Sequence, residues 1–429
     1  MKKYIFFALL IIFGIGILET YKNFHLFVAK FEQTKLRLVE KKIVDNNNEI
    51  KNNLDNGFYT FKDEKFTYKE YPLEKFGVKF PDFIDLKPIG YFDSFEDKII
   101  FMSNDGNIYS TNSIAEIKKG KFLIKKLSNF DEKFKLDNED ENSYRNIKIR
   151  DILINDKNIY VVSNDREKKN DDEYYASIKV FKGDLTLEDG KINFQEFYTT
   201  NEKFISNDWS HTGGRLVHLG NEEYLLSVAD FQLDYPILEK KVFSDNSIAG
   251  KTILIGKDKS EIFSKGHRNI QGLFYDKKNK LVFSSEHGPT GGDEINIIEK
   301  DINYGWPKSS YGTLGYEFEN HPRKHKKYGF KEPLYYWWPF NCAPSEITVV
   351  SKDFVKNWDR SLLVSCLSGN NLNGKSIIRF VYDAKNKKLF RKKQHYIGDR
   401  IRDIKYFEKD KVLVLLLEGK KSLAFIYKK

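Results

Sequence analysis

Several short clusters in the chain carry residue types able to do chemistry. In Ser210-His-Thr-Gly-Gly-Arg-Leu, His211 stands just ahead of a glycine pair that opens a strand, on a tight turn where nothing is expected to shield it. An imidazole titrates near neutral pH and suits a general base, although a lone histidine also serves plain structural ends. Arg268-Asn269 and Arg400-Ile401-Arg402-Asp403 together offer three guanidinium groups and an amide. Positions 400 and 402 share one side of a strand, an arrangement that suits bidentate capture of carboxylates. Salt bridges inside the sheet, to Asp403 for example, are the plainer use of the same residues. The loop Glu286-His-Gly-Pro-Thr-Gly-Gly-Asp-Glu could hold a hard cation through main-chain and carboxylate oxygens, without the spacing of an EF-hand. His321 and His325 are four apart, but Pro322 and the surrounding lysines read as a solvated loop rather than a zinc site. The chain has no Walker loop, no dinucleotide-binding glycine fingerprint and no nucleophile elbow. The densest stretch is Gly266 to Pro307, which runs from Arg268-Asn269 through a strand-turn-strand and the acidic loop to an aromatic close at Tyr304 to Pro307. Loops that carry such groups between strands are where binding and chemistry usually sit.

The elements that must position these groups form a repeat. A short apolar strand, a polar turn, a second apolar strand and a small or acidic end recur at Asp97, Ile152, Arg215, Gln271, Glu346 and Ile404. The six copies are spaced by roughly 55 to 75 residues, longer than the commonest propeller repeat of about 40 to 45. That spacing leaves room for two outer strands per copy, such as Ala176 to Phe181 or Ser376 to Tyr382. The pattern predicts an all-β, six-bladed β-propeller over 58–429, in which each sheet is buried between neighbours and ring closure leaves no long exposed edge. A pair of β-sandwiches is the competing architecture; the even spacing and the lack of an internal linker speak against it. In a propeller the innermost strands line a central channel and the loops between blades crowd one face. His211, Asp230, Arg268, Asn269, His287, Arg400 and Arg402 occupy equivalent places in the repeat and are expected to gather there.

Composition agrees with many short strands: aromatic residues make up 15% of the chain and only 10 prolines interrupt it. The formal net charge of +10 comes from lysines interspersed with 62 acidic residues, with no arginine-rich helix or aromatic RNA-binding motif, so nucleic acid is not an expected partner. Cys342 and Cys366 are the only cysteines, which excludes a disulfide framework and leaves one bridge open. At the start, Lys2 and Lys3 precede an apolar run from Tyr4 to Leu18 with no small-residue cleavage site after it. This predicts an uncleaved signal anchor over 1–22, in the inner membrane with the rest of the chain facing the periplasm, with a removed signal peptide as the alternative. Apolar residues at helical spacing predict a helical stalk and linker over 23–57.

With those residues in view, the chain resembles the glucose/sorbosone dehydrogenases. The resemblance rests on HTGGRL (211–216), AGKTILI (249–255), GHRNIQGL from 266, EHGPTGGDEIN from 286, NYGWP (303–307), EPLYYWWP through APS (332–345) and RIRDI (400–404), and it covers about residues 85 to 429. It implies a six-bladed propeller that uses pyrroloquinoline quinone (PQQ) and Ca2+ to oxidise the anomeric carbon of an aldose sugar. In that scheme His211 takes the proton of the anomeric hydroxyl, Asp230 orients His211, and Arg268 faces the oxygen on which negative charge develops. Asn269, Arg400 and Arg402 bind the cofactor's carboxylates, Trp337 or Trp338 flanks its ring, and the carbonyls of Gly288 and Pro289 hold the calcium. The electron acceptor is unknown. Three features depart from the family pattern: Leu367 is followed by Ser368 where a lysine is expected, with Lys375 nearby; the loop after Asp230 reads FQLDYPILEKK; and the Trp-Pro-Phe-Asn-Cys segment (338–342) carries an extra residue. The alternative they raise is a propeller that binds a ligand or protein partner without turnover.

Overall fold

Each strand-turn-strand unit forms the two inner strands of an antiparallel sheet, and six such sheets make up the body in the computed structural model. The structure describes residues 54, 57–61, 64–80, 89–130, 149–170, 173–188, 191–205, 211–257, 259–313, 325–338, 341–368 and 373–428. The expected anchor over 1–22, nearly all of the expected stalk over 23–57, and His321 lie outside these residues. Among the described residues no helix is long and apolar enough to cross a membrane.

The innermost strands are, in blade order, Gly90–Phe95, Ile149–Asn155, Gly213–Gly220, Ile270–Asp276, Pro344–Val350 and Ile401–Phe407. They touch one another in that cyclic order, and the sixth returns to the first. The repeat copy at Asp97 proves to be the second strand of its pair, since the first is Gly90–Phe95. The expected outer strands are present as Tyr174–Asp184 and Ser376–Asp383. The last blade takes its outer strands from the other end of the body: Ser422–Tyr427 pairs with Glu64–Pro72, which pairs with Phe58–Phe61. Hydrogen bonds between the two ends of the body therefore close the ring.

The core lies between blades rather than within them. Val412, Val414 and Leu416 of the sixth blade pack on Phe92, Ile99 and Phe101 of the first, all fully buried. Such inner strands are covered on both faces, which is why Val412–Leu417 reads as an unbroken apolar run, VLVLLL.

Five of the six innermost strands carry a register shift near their start, at 149/151, 213/216, 270/272, 344/347 and 401/403. A bulge breaks the strict alternation and re-aims side chains. Polar and charged residues stand at these points, among them Arg150, Arg215, Gln271, Glu346 and Arg402, and all five are buried. Arg215 is the hub. Its guanidinium reaches Asp151 Oδ1 (2.9 Å) of the second blade, Gln271 O (2.6 Å) of the fourth, Ser345 O (3.3 Å) of the fifth and Arg402 O (3.5 Å) of the sixth. It also pairs with Glu346 (3.2 Å) and lies 4.9 Å over the Tyr91 ring of the first blade. One side chain of the third blade thus touches every other blade and plugs the channel.

Candidate active site

The innermost strands start at one end of the channel and their partner strands finish there, so each blade offers two loops to that end. Residues 211–212, 268–269 and 400 precede innermost strands; residues 230, 287–288, 367–368 and 418 follow second strands. This is how a linear repeat collects residues nearly 200 positions apart.

His211 is held by the glycines that follow it. Gly213 and Gly214 adopt φ of +71° and +97°, and a Cβ on Gly214 would lie 2.4 Å from the Cβ of Arg150. The expected unshielded turn is in fact closed, and His211 is only 8% exposed. Its Nδ1 faces Asp230 Oδ1 at 3.2 Å. Three further bonds anchor Asp230: its carboxylate accepts from Gln232 N on Oδ1 (3.0 Å) and from Trp306 Nε1 on Oδ2 (2.9 Å), and its backbone N–H donates to Arg268 O (2.9 Å). Burial alone would push Asp230 up, but the His211 hydrogen bond, with the charges of His211 and Arg268, outweighs it and holds the carboxyl below its ordinary value.

Arg268 lies beside this pair, with its guanidinium 5.4 Å from the centre of the Trp306 ring. It donates to the carbonyls of His287 (3.1 Å) and Gly288 (2.8 Å). His287 donates from Nε2 to Pro344 O (2.9 Å), and its pKa falls to about 3 through burial and the nearby His211, Arg268 and Arg402. The imidazole is therefore neutral. The 287–289 loop is fixed by Asp293, whose carboxylate accepts from Gly288 N (3.0 Å), Cys342 N (2.8 Å) and Ala343 N (2.7 Å). A Cβ on Gly288 would meet the Gly292 backbone at 2.3 Å, so only glycine fits there.

Asn269 is buried and accepts from Gln271 Nε2 (2.8 Å); Gln271 Oε1 faces Arg402 (3.5 Å). Arg400 and Arg402 do share one side, but their partner is not Asp403. Glu418, at the end of the neighbouring strand, takes Nε of Arg400 at 2.9 Å and Nε of Arg402 at 2.6 Å. Asp403 instead accepts from the backbone N–H groups of Ile404 and Phe92.

The remaining expected site residues divide. Trp337 is 2% exposed and packs against Tyr335 and Phe380 in the core between the fourth and fifth blades, which removes it from the channel face; Trp338 is 41% exposed. The correction follows from backbone alternation, which sends adjacent side chains to opposite sides. Gly288 O is bonded to Arg268, and Pro289 O accepts from Asn341 Nδ2 at 3.3 Å. Each carbonyl keeps a second lone pair with which it could ligate a calcium ion. Among the described residues no three His, Cys, Asp or Glu side chains gather as a metal-ligand set. Ser368 and Lys375 are both exposed, on either side of residues outside the description. Cys342 and Cys366 form a disulfide with Cα atoms 5.3 Å apart, tying the 341–343 loop to the end of the second strand of the fifth blade. His325 departs from the solvated loop expected of its neighbourhood: it is buried, 3.1 Å from Glu294 and 2.6 Å from Tyr304 O.

The residues missed by the sequence are those that act through others: Trp306, Glu418, Gln271, Asp293 and Arg215. Trp306 and Asp293 lie inside quoted motifs, NYGWP and GGDEIN, and a buried indole N–H or carboxylate that needs a partner was the available signal. Glu418 carried none beyond its place at the end of an apolar strand.

Fold and site together define a six-bladed propeller with a histidine–carboxylate pair and a cluster of arginines at one end of a plugged channel. The chain belongs to the Glucose / Sorbosone dehydrogenase family, whose model matches residues 135–424. It is 33% identical over 115 residues to the aldose sugar dehydrogenase YliI of Escherichia coli (strain K12), a stretch that is 27% of this chain and 31% of that enzyme. The curated relatives matched are covered over about half of their length or less. Among solved structures, the soluble aldose sugar dehydrogenase of Escherichia coli in its apo form superposes with a TM-score of 0.64 at 20% identity, over 85% of this chain and all of that one. The PQQ-bound aldose sugar dehydrogenase of Streptomyces coelicolor superposes with a TM-score of 0.54 at 16% identity, over 84% of this chain and 98% of that one. At these identities the structural likeness shows the fold alone.

Proposed function

We propose that the chain is a PQQ-dependent sugar dehydrogenase that removes a hydride from C1 of an aldose and a proton from its C1 hydroxyl. The observation that carries this is the His211–Asp230 pair beside Arg268. Asp230 accepts from Nδ1 of His211, which fixes the tautomer and leaves Nε2 as the basic nitrogen for the hydroxyl proton. The imidazolium formed would rest against a carboxylate already held in place by Trp306 and Gln232. Arg268 supplies fixed positive charge next to the base, where charge developing on an oxygen would be stabilised without reorganisation.

The cluster of arginines suits a small polycarboxylate. Glu418 engages Arg400 and Arg402 through their Nε edges only, so their terminal nitrogens are not spent on it, and the buried Asn269 amide stands at the same end of the channel. PQQ, when bound, supplies the hydride acceptor; the chain supplies base, cation and carboxylate clamp. The disulfide supports an oxidising compartment, and the charged-then-apolar run to Leu18 supports placement of the propeller on the periplasmic side of a membrane.

The test is His211→Ala in the full chain. Turnover of aldoses should disappear while PQQ binding, followed by quenching of tryptophan fluorescence, stays within about threefold of the parent. Retained turnover would remove His211 as the base.

A further inference from the structure

We propose that Trp306 is a positioning residue that couples the proton-accepting pair to the cationic group beside it; the inference rests on the proposed sugar oxidation for its catalytic meaning. The geometry is specific. The indole Nε1 donates to Asp230 Oδ2 at 2.9 Å, on the oxygen that His211 does not use, while the face of the same ring lies under the Arg268 guanidinium at 5.4 Å. Trp306 is 5% exposed, so the N–H has little access to water and its bond to Asp230 meets a need that burial creates. His211 Nδ1 and Gln232 N both bond Oδ1, and the indole donor on the second oxygen adds the bond that fixes the plane of the carboxylate with Oδ1 aimed at His211 Nδ1. Arg268 is steered in the same act, because its position over the ring and its bonds to the His287 and Gly288 carbonyls define one orientation. The peptide on either side adds to this: Asp230 N donates to Arg268 O, and Trp306 N donates to Gly266 O, two residues ahead of Arg268. Base and cation are thus referred to one indole. Phenylalanine at 306 keeps an aromatic ring while removing the donor and the pyrrole part of the indole.

The charged groups that face Asp230 are His211 and Arg268. Loss of the indole donor withdraws a bond from the charged carboxylate and makes the pair more basic. In Trp306→Phe the acid limb of the pH–rate profile should therefore move to higher pH. The maximal rate should fall about tenfold, the scale of one hydrogen bond to a charged acceptor, with KM within about threefold. Trp306→His, which can restore an N–H, should recover part of the limb's position.

A readout independent of turnover uses the full, cofactor-free chain grown with 5-fluorotryptophan. The chain has 5 tryptophans, and the fluorine signal lost in Trp306→Phe identifies residue 306. That signal should move with pH as the Asp230–His211 pair takes up its proton, and the movement should vanish in Asp230→Asn. A Trp306 signal indifferent to pH and to Asp230→Asn, with Trp306→Phe lowering thermal stability alone, would overturn the proposal. Should no sugar be oxidised at all, the fluorine titration still decides the coupling, so the two failures are separable.

Discussion

Replacing Arg215 by lysine keeps a positive charge in the channel but removes the planar fork that reaches several blades. In the parent, Nε and the two terminal nitrogens hold Gln271 O at 2.6 Å, Asp151 at 2.9 Å and Glu346 at 3.2 Å. A single ammonium can retain about one of these charge-assisted bonds. Loss of the other two, at about 1.5 to 3 kcal/mol each, sums to about 3 to 6 kcal/mol. A domain commonly has about 5 to 15 kcal/mol in hand, so the variant should fold but unfold at markedly lower urea concentration. Arg215→Met gives a second, pH-dependent signature. Burial already pushes both Asp151 and Glu346 above the usual carboxylate range, against the opposing pull of Arg215. A carboxyl whose folded pKa is raised binds more protons in the native state than in the unfolded one, and stability then falls as pH rises through that range. Without Arg215 the rise is larger, so the deficit of the methionine variant should widen between pH 5.5 and pH 8. Urea denaturation of parent and both variants at the two pH values is the assay. A lysine variant within about 0.5 kcal/mol of the parent, below the scale of one such bond, would refute the hub.

Two further outcomes follow from the same buried electrostatics. Burial draws the His325 pKa down, but Glu294 outweighs it and holds the group up at about 9, so the stability it adds is complete below about pH 6.5 and is lost as pH rises through 9. The difference in urea midpoint between parent and His325→Gln should therefore be largest at pH 6 and shrink by pH 10; a constant difference would contradict the assignment. Glu418→Gln leaves Arg400 and Arg402 without their shared carboxylate, which should cost about 3 to 5 kcal/mol of stability and at the same time tighten binding of a tricarboxylate probe such as citrate at low salt. Unchanged citrate affinity would mean that the two arginines do not face the ligand.

The propeller was legible because the inner strands of a blade are covered on both faces and so read as apolar pairs around a polar turn. Its closure was not: Phe58–Phe61 and Glu64–Pro72 are outer strands, and nothing in their pattern states that Glu64–Pro72 pairs with Ser422–Tyr427 at the far end of the chain. In the site, His211 could be named as a base from its residue type and its turn, whereas the roles of Asp230 and Arg268 came with the resemblance to the glucose/sorbosone dehydrogenases. The choice between Trp337 and Trp338 could not be made, since it depends on which way one backbone turn faces. Bulges hid Arg215 and Gln271 among strand residues, because a register shift leaves no trace in hydrophobic periodicity. His325 was misjudged for the opposite reason. Its lysine-rich neighbours describe the surface of the loop, while the histidine itself points inward to Glu294 and Tyr304 O.

The central claim is that this propeller oxidises sugars with a bound quinone. The direct measurement is reduction of an artificial dye by the purified full chain, reconstituted with PQQ with and without calcium and offered a panel of aldoses. The account predicts dye reduction that needs both PQQ and an aldose and is absent in His211→Ala. No PQQ-dependent reduction with any aldose, together with no PQQ binding, would contradict it.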